Sequence, residues 1–77
     1  MSPKPPRVTG PELVRALLRA GWVRQRKTGS HAHLTHPNRP GVLVTVAEHA
    51  GQPVPIGTLA AVLKQAGLSG DDLRRLL

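Results

Sequence analysis

The 77-residue chain has no cysteine, tyrosine or phenylalanine, one tryptophan (Trp22), and four acidic residues in all. Without cysteine there is no disulfide framework, no thiol nucleophile and no cysteine-containing zinc site. The same absence fits a reducing compartment. Without aromatics beyond Trp22, a core has to be assembled from Leu, Val and Ala, which together carry most of the 39% hydrophobic content. The basic start, Met1-Ser2-Pro3-Lys4-Pro5-Pro6-Arg7, is followed by no apolar run, and no stretch approaches membrane-spanning length. The expected setting is therefore cytoplasmic, with no membrane contact. A single domain of this size, unsupported by a disulfide or evident structural metal, is marginal, and a tight partner would add stability.

Positive charge is what the chain has in excess. Eleven Lys and Arg against four Asp and Glu give a formal net charge of +7. Such a field favours polyanions, with nucleic acid ahead of an anionic membrane surface or an acidic protein.

Three prolines within the first six residues prevent a helix or ladder, so residues 1–8 are expected to form a basic, extended, Pro-rich tail ahead of a domain at 9–77. Thr9-Gly10-Pro11-Glu12 carries the signature of a capping box with an early helical proline. Leu13, Ala16, Leu17 and Ala20 then recur at helical spacing up to Gly21, which predicts a helix over 10–20. Strands are predicted at 22–27, 31–35 and 42–46. Thr28-Gly29 turns the first pair, and His36-Pro37-Asn38-Arg39-Pro40-Gly41 forms a longer turn before the third strand. Beyond Pro53 and Pro55, the stripe Ile56, Leu59, Ala60, Leu63 and Ala66 predicts a second helix ending at Gly67. Ser69, followed by Asp71 and Asp72 and later by Arg74 and Arg75, predicts a short terminal helix matched to its own dipole. The resulting order is an α+β domain, a three-stranded antiparallel sheet with helices on one face, and the other face left open for binding.

The chemistry concentrates around the first turn, Lys27-Thr28-Gly29-Ser30-His31-Ala32-His33. Side chains alternate along a strand, so Ala32 and Leu34 should face the helices while His31, His33 and Thr35 face outward. RNA cleavage needs a base for the 2′-hydroxyl, positive charge or hydrogen bonds for the phosphorane, and an acid for the leaving oxygen. His31 is the candidate base; Arg24, Arg26 and Lys27 can supply charge, and the Gly29 and Ser30 amides can bind a phosphate oxygen. That route needs neither metal nor cofactor. A purely structural strand histidine is the competing interpretation. Zinc held by His31 and His33 with His36 or His49 is weakly specified by the spacing. Serine catalysis is set aside, since Ser30 lies on the opposite strand face from His31 and none of the four acids is obviously placed to orient a base.

The ordered set Gly21-Trp22, Gly29-Ser30-His31, His36-Pro37, Val44-Thr45-Val46, Ile56-Gly57-Thr58-Leu59 and Leu63-Lys64-Gln65-Ala66-Gly67-Leu68 resembles the HicA toxins of toxin–antitoxin pairs, from about Thr9 to the end. Two departures stand out: Leu34 where an aromatic is common, and Ala47 where a proline often follows Val-Thr-Val. The resemblance implies a double-stranded-RNA-binding-domain-like α-β-β-β-α fold. It implies a ribosome-independent mRNA interferase, its catalytic histidine mapping onto His31, and a HicB-like antitoxin that covers the active site. Together these give the expectation of a metal-independent endoribonuclease acting on single-stranded or locally unpaired mRNA. His31 would be the general base, Arg24, Arg26, Lys27, Gly29, Ser30 and His33 would form the RNA-binding set, and Lys64 would be an outlying contact. A non-catalytic RNA-binding module on the same fold is the alternative.

Overall fold

The computed structural model describes residues 6–49 and 51–77. Most of the basic tail expected at the start therefore lies outside the described residues. The elements run α1 (Gly10–Arg19), β1 (Val23–Thr28), β2 (His31–His36), β3 (Arg39–Ala47), α2 (Ile56–Ala66) and α3 (Gly70–Leu76). The strands form one antiparallel sheet in the order β1-β2-β3. This is the α-β-β-β-α layout of a double-stranded-RNA-binding-like domain, with α3 appended.

Both capped helices start where their sequences ask them to. Thr9 accepts from the Glu12 amide through its hydroxyl, and the Glu12 carboxylate accepts the Thr9 amide at 2.9 Å. Those two bonds satisfy donors that a bare helix end would leave open. Ser69 and Asp72 repeat the arrangement at α3. These bonds also act on the carboxyl groups. The Thr9 amide, chiefly, holds Glu12 below its ordinary value, and the Ser69 amide, followed by the Arg75 guanidinium, does the same for Asp72.

Strand alternation sorts the sheet as expected. Ala32, Leu34 and Val44 are fully buried and Val46 nearly so, all directed at the helices. They meet Leu13, Leu17, Leu59, Leu63 and Leu73 in one core that encloses Trp22 as its single aromatic. Among the described residues no polar or charged residue is buried. Each fully buried Leu or Val contributes roughly 1.5–3 kcal/mol, so the Ala32/Leu34 row fixes the strand register by itself: a one-residue slip would expose it.

Three details depart from the sequence expectations. On α2 the buried row is Leu59, Val62, Leu63 and Ala66, whereas Ile56 and Ala60 are exposed. The helix is rotated so that Val62 joins the core, and periodicity alone does not choose between two apolar faces of an apolar helix. The turn expected over 36–41 is only Pro37-Asn38, closed by the His36–Arg39 pair, and β3 begins at Arg39. Residues 40–43 of β3 then stand opposite Thr35 alone, in an irregularity that accommodates Pro40, which has no amide to give a ladder, and Gly41 at φ +82°. Val8 is buried, its carbonyl accepts the Val54 amide at 2.7 Å, and Thr9 bridges to Pro53. The packed domain thus reaches back to Val8.

Gly10 marks a close approach. A Cβ there would overlap the carbonyl oxygen of Ala47 and crowd the Glu48 Cα at 2.9 Å, so the first turn of α1 lies against the backbone at the end of β3.

Candidate active site

The outer face of the sheet is the face that carries His31. Residues directly across a ladder share a face, and the register places Thr28, His31 and Ala47 in one row and Arg26, His33 and Thr45 in the next. The His31 side chain is exposed and its ring makes no hydrogen bond. It sits immediately after the Gly29-Ser30 turn, where Gly29 takes φ +58° with open space around it. Glycine is there for its backbone conformation and not for room. The Ser30 carbonyl accepts the Glu48 amide at 2.6 Å, tying the turn to the end of β3.

His33 is half-buried, and its Nδ1 lies 3.1 Å from the Thr45 hydroxyl across the ladder. Arg26, directly opposite His33 on the other side, is exposed and has no ion-pair partner. Gln25 bonds the Thr35 hydroxyl at 2.7 Å further along the same face. Beyond them Val23 and Leu43 leave apolar surface exposed.

The other basic residues of β1 stand differently. A bulge between Arg24 and Arg26 interrupts the alternation, so Arg24 pairs with Leu34 and Lys27 with Ala32, on the helix side. There both cations meet Glu48, Arg24 Nη2 at 3.2 Å and Lys27 Nζ at 3.5 Å. The Glu48 side chain is 9% exposed, and its buried Oε1 makes no hydrogen bond, having only the longer ion pair with Lys27. Of the expected phosphate contacts, then, Arg26 joins the histidines, whereas Arg24 and Lys27 are neutralised at the sheet edge. Lys64 is exposed on α2, in the helical layer.

The remaining histidines are elsewhere. His36 packs edge-on against Trp22, ring centroids 5.3 Å apart. Its Nδ1 accepts the Asn38 amide at 3.0 Å, which leaves the proton on Nε2 to be donated to the Ala20 carbonyl at 3.1 Å. Both ring nitrogens are used, and the ring braces the corner that Gly21 turns. His49 lines an apolar cavity of about 330 Å³ with Leu13, Val54 and Thr58, between the end of β3 and the start of α2. Among the described residues no three His, Asp or Glu side chains converge as a metal site.

A family model described as HicA toxin of bacterial toxin-antitoxin matches residues 10–68, from the first turn of α1 to just beyond α2. The chain belongs to the HicA toxin family. It is accordingly a toxin of a toxin–antitoxin pair, and an antitoxin is its expected partner. No curated protein matches the chain. Among the described residues no helix is long and apolar enough to cross a membrane. Within this HicA-family chain, Thr45 and Glu48 are the site residues that patterning misses. Alternation does place Thr45 outward, but its pairing with His33 depends on the irregular hairpin. Glu48 is remote in sequence from the cations it holds.

Proposed function

We propose that this HicA-family toxin is a metal-independent endoribonuclease that cleaves mRNA without the ribosome, with His31 as general base. The observation that carries the proposal is the row arrangement of the outer face: an unpartnered, exposed His31 next to the His33–Thr45–Arg26 row. His31 takes the proton of a 2′-hydroxyl, the 2′-oxygen attacks the adjacent phosphorus, and the 5′-oxygen departs. The products are a 2′,3′-cyclic phosphate and a 5′-hydroxyl. Arg26 meets the phosphate as charge builds on it, and the Gly29-Ser30 turn brings backbone donors alongside. An open sheet face suits a single-stranded or locally unpaired segment, whose backbone can lie across the strands. Arg24 and Lys27 contribute to RNA binding only to the extent that Glu48 releases them.

The partner follows from the same face. Exposed Val23 and Leu43 continue the surface beyond Gln25 and Thr35, and an apolar patch flanked by cations suits an acidic HicB-like antitoxin that covers His31. Such capping in the cytoplasm keeps the nuclease silent until the antitoxin is lost.

The test is incubation of purified protein with RNA in excess EDTA. Fragments ending in 2′,3′-cyclic phosphate support the proposal. A mobility shift without scission would instead assign the protein as a non-catalytic RNA-binding module of the same fold.

A further inference from the structure

A single base leaves the departing 5′-oxygen without a proton. Four histidines are available, and the structure separates them. His36 has both nitrogens engaged on the helix side of the sheet, and His49 lines the cavity beside α2. His33 shares the outer face with His31, two residues along the same strand. Two residues of strand span roughly 6.8 Å. In-line displacement needs its base and acid on opposite sides of phosphorus, each within about 3 Å of its own oxygen, so their nitrogens must stand more than about 6 Å apart. The two-residue backbone repeat is of that size, so two rings standing side by side on the outer face are spaced for the two roles.

The orientation of His33 is also fixed. Thr45 Oγ1 holds Nδ1 at 3.1 Å from the neighbouring strand, which leaves Nε2 as the nitrogen free to meet a ligand. In an imidazolium the Nδ1–H donates to that hydroxyl and Nε2 carries the transferable proton. Arg26, which has no ion-pair partner, lies directly across the ladder from His33, on the face where the guanidinium can meet a non-bridging phosphate oxygen.

We infer that His33 is the general acid of the cleavage reaction and that Thr45 is its positioning residue. This rests on the endoribonuclease reading of the same face. The 2′-O–H proton passes to His31, the 2′-O–P bond forms, and the P–O5′ bond breaks. The His33 Nε2 proton goes to the 5′-oxygen, and solvent exchange restores both rings.

The experiment compares ordinary RNA with RNA carrying a 5′-bridging phosphorothiolate, whose sulfur leaves without protonation. His33→Ala should cleave ordinary RNA roughly 10²–10⁴-fold more slowly than wild type, the usual scale for a lost acid. On the phosphorothiolate it should return to within a few-fold of wild type. His31→Ala should be slow on both substrates. His33→Gln retains an amide able to bond Thr45 and serves where the alanine variant unfolds. Thr45→Val should lower kcat with KM unchanged and shift the His33 ring-nitrogen NMR signals, and Thr45→Ser should restore both. Wild-type rates for His33→Ala and His33→Gln on ordinary RNA, or equal impairment on both substrates, would overturn the assignment while leaving the nuclease intact. If wild type cleaves neither substrate, the nuclease reading itself falls.

Discussion

Replacing Gly10 with alanine sets two physical effects of opposite sign against each other. In a helix, alanine is favoured over glycine by about 1 kcal/mol, and Gly10 opens α1 with an ordinary negative φ. Against this, the new Cβ would overlap the Ala47 carbonyl oxygen, with the Ala47 carbonyl carbon and Glu48 Cα each at 2.9 Å. All three neighbours are backbone, so no side chain can swing away, and overpacking of this kind costs about 1–3 kcal/mol. The contact should win. Gly10→Ala is expected to destabilise the domain by up to about 2 kcal/mol, which in a domain of this size lowers Tm by up to about 15 °C. Gly57 is the internal control. It also lies in the first turn of a helix, but a Cβ there meets nothing within 4 Å, so Gly57→Ala should be neutral or stabilising by up to about 1 kcal/mol. Thermal and urea melts followed by circular dichroism measure both. A Gly10→Ala protein as stable as wild type or Gly57→Ala would refute the close packing of α1 on the end of β3, and with it the support of the strand end facing His31.

Glu48→Gln should release Arg24 and Lys27, lowering stability by about 1 kcal/mol or less because both cations are more than a third exposed. It should also steepen the fall of RNA affinity with salt in an anisotropy titration; an unchanged slope would show that these cations never reach phosphate. His36→Ala should cost about 1–3 kcal/mol through loss of the Trp22 contact and two hydrogen bonds, while cleavage per folded molecule stays at the wild-type level. The capping carboxylates give the domain an acid limit. Glu12 and Asp72 are held below their ordinary values of 4.5 and 3.8, so their contribution is complete above those values. It is lost as pH falls through the lower folded-state values. Urea midpoints of Glu12→Gln and Asp72→Asn should therefore change less than those of wild type over that acidic window, and parallel curves would contradict the linkage.

Much of the fold was legible because local signals and the global layout agree. Thr9 with Glu12 and Ser69 with Asp72 announce helix starts in four residues each, and the alternation of His31, Ala32, His33 and Leu34 fixes which side of β2 is wet. What was not legible depends on irregularity. In a regular strand Arg24 and Arg26 share a face, but the bulge at Gln25 turns Arg24 to the helix side and leaves Arg26 beside His33. The four residues of β3 set against Thr35 likewise determine that Thr45, and not a neighbour, meets His33. Glu48 was hidden for another reason: a carboxylate just past a strand end shows its role only when the edge strand is folded back next to it. Ile56 and Val62 exchange places because α2 offers two apolar faces and tertiary packing selects one.

Whether His31 performs chemistry on RNA is measured most directly by the cleavage rate of His31→Ala beside wild type. Since the His31 side chain is exposed and its ring makes no hydrogen bond, the substitution should leave the circular dichroism spectrum and melting curve unchanged. The folded variant should neither cleave RNA in excess EDTA nor inhibit growth when expressed. Wild-type cleavage by the variant would contradict a catalytic role for His31.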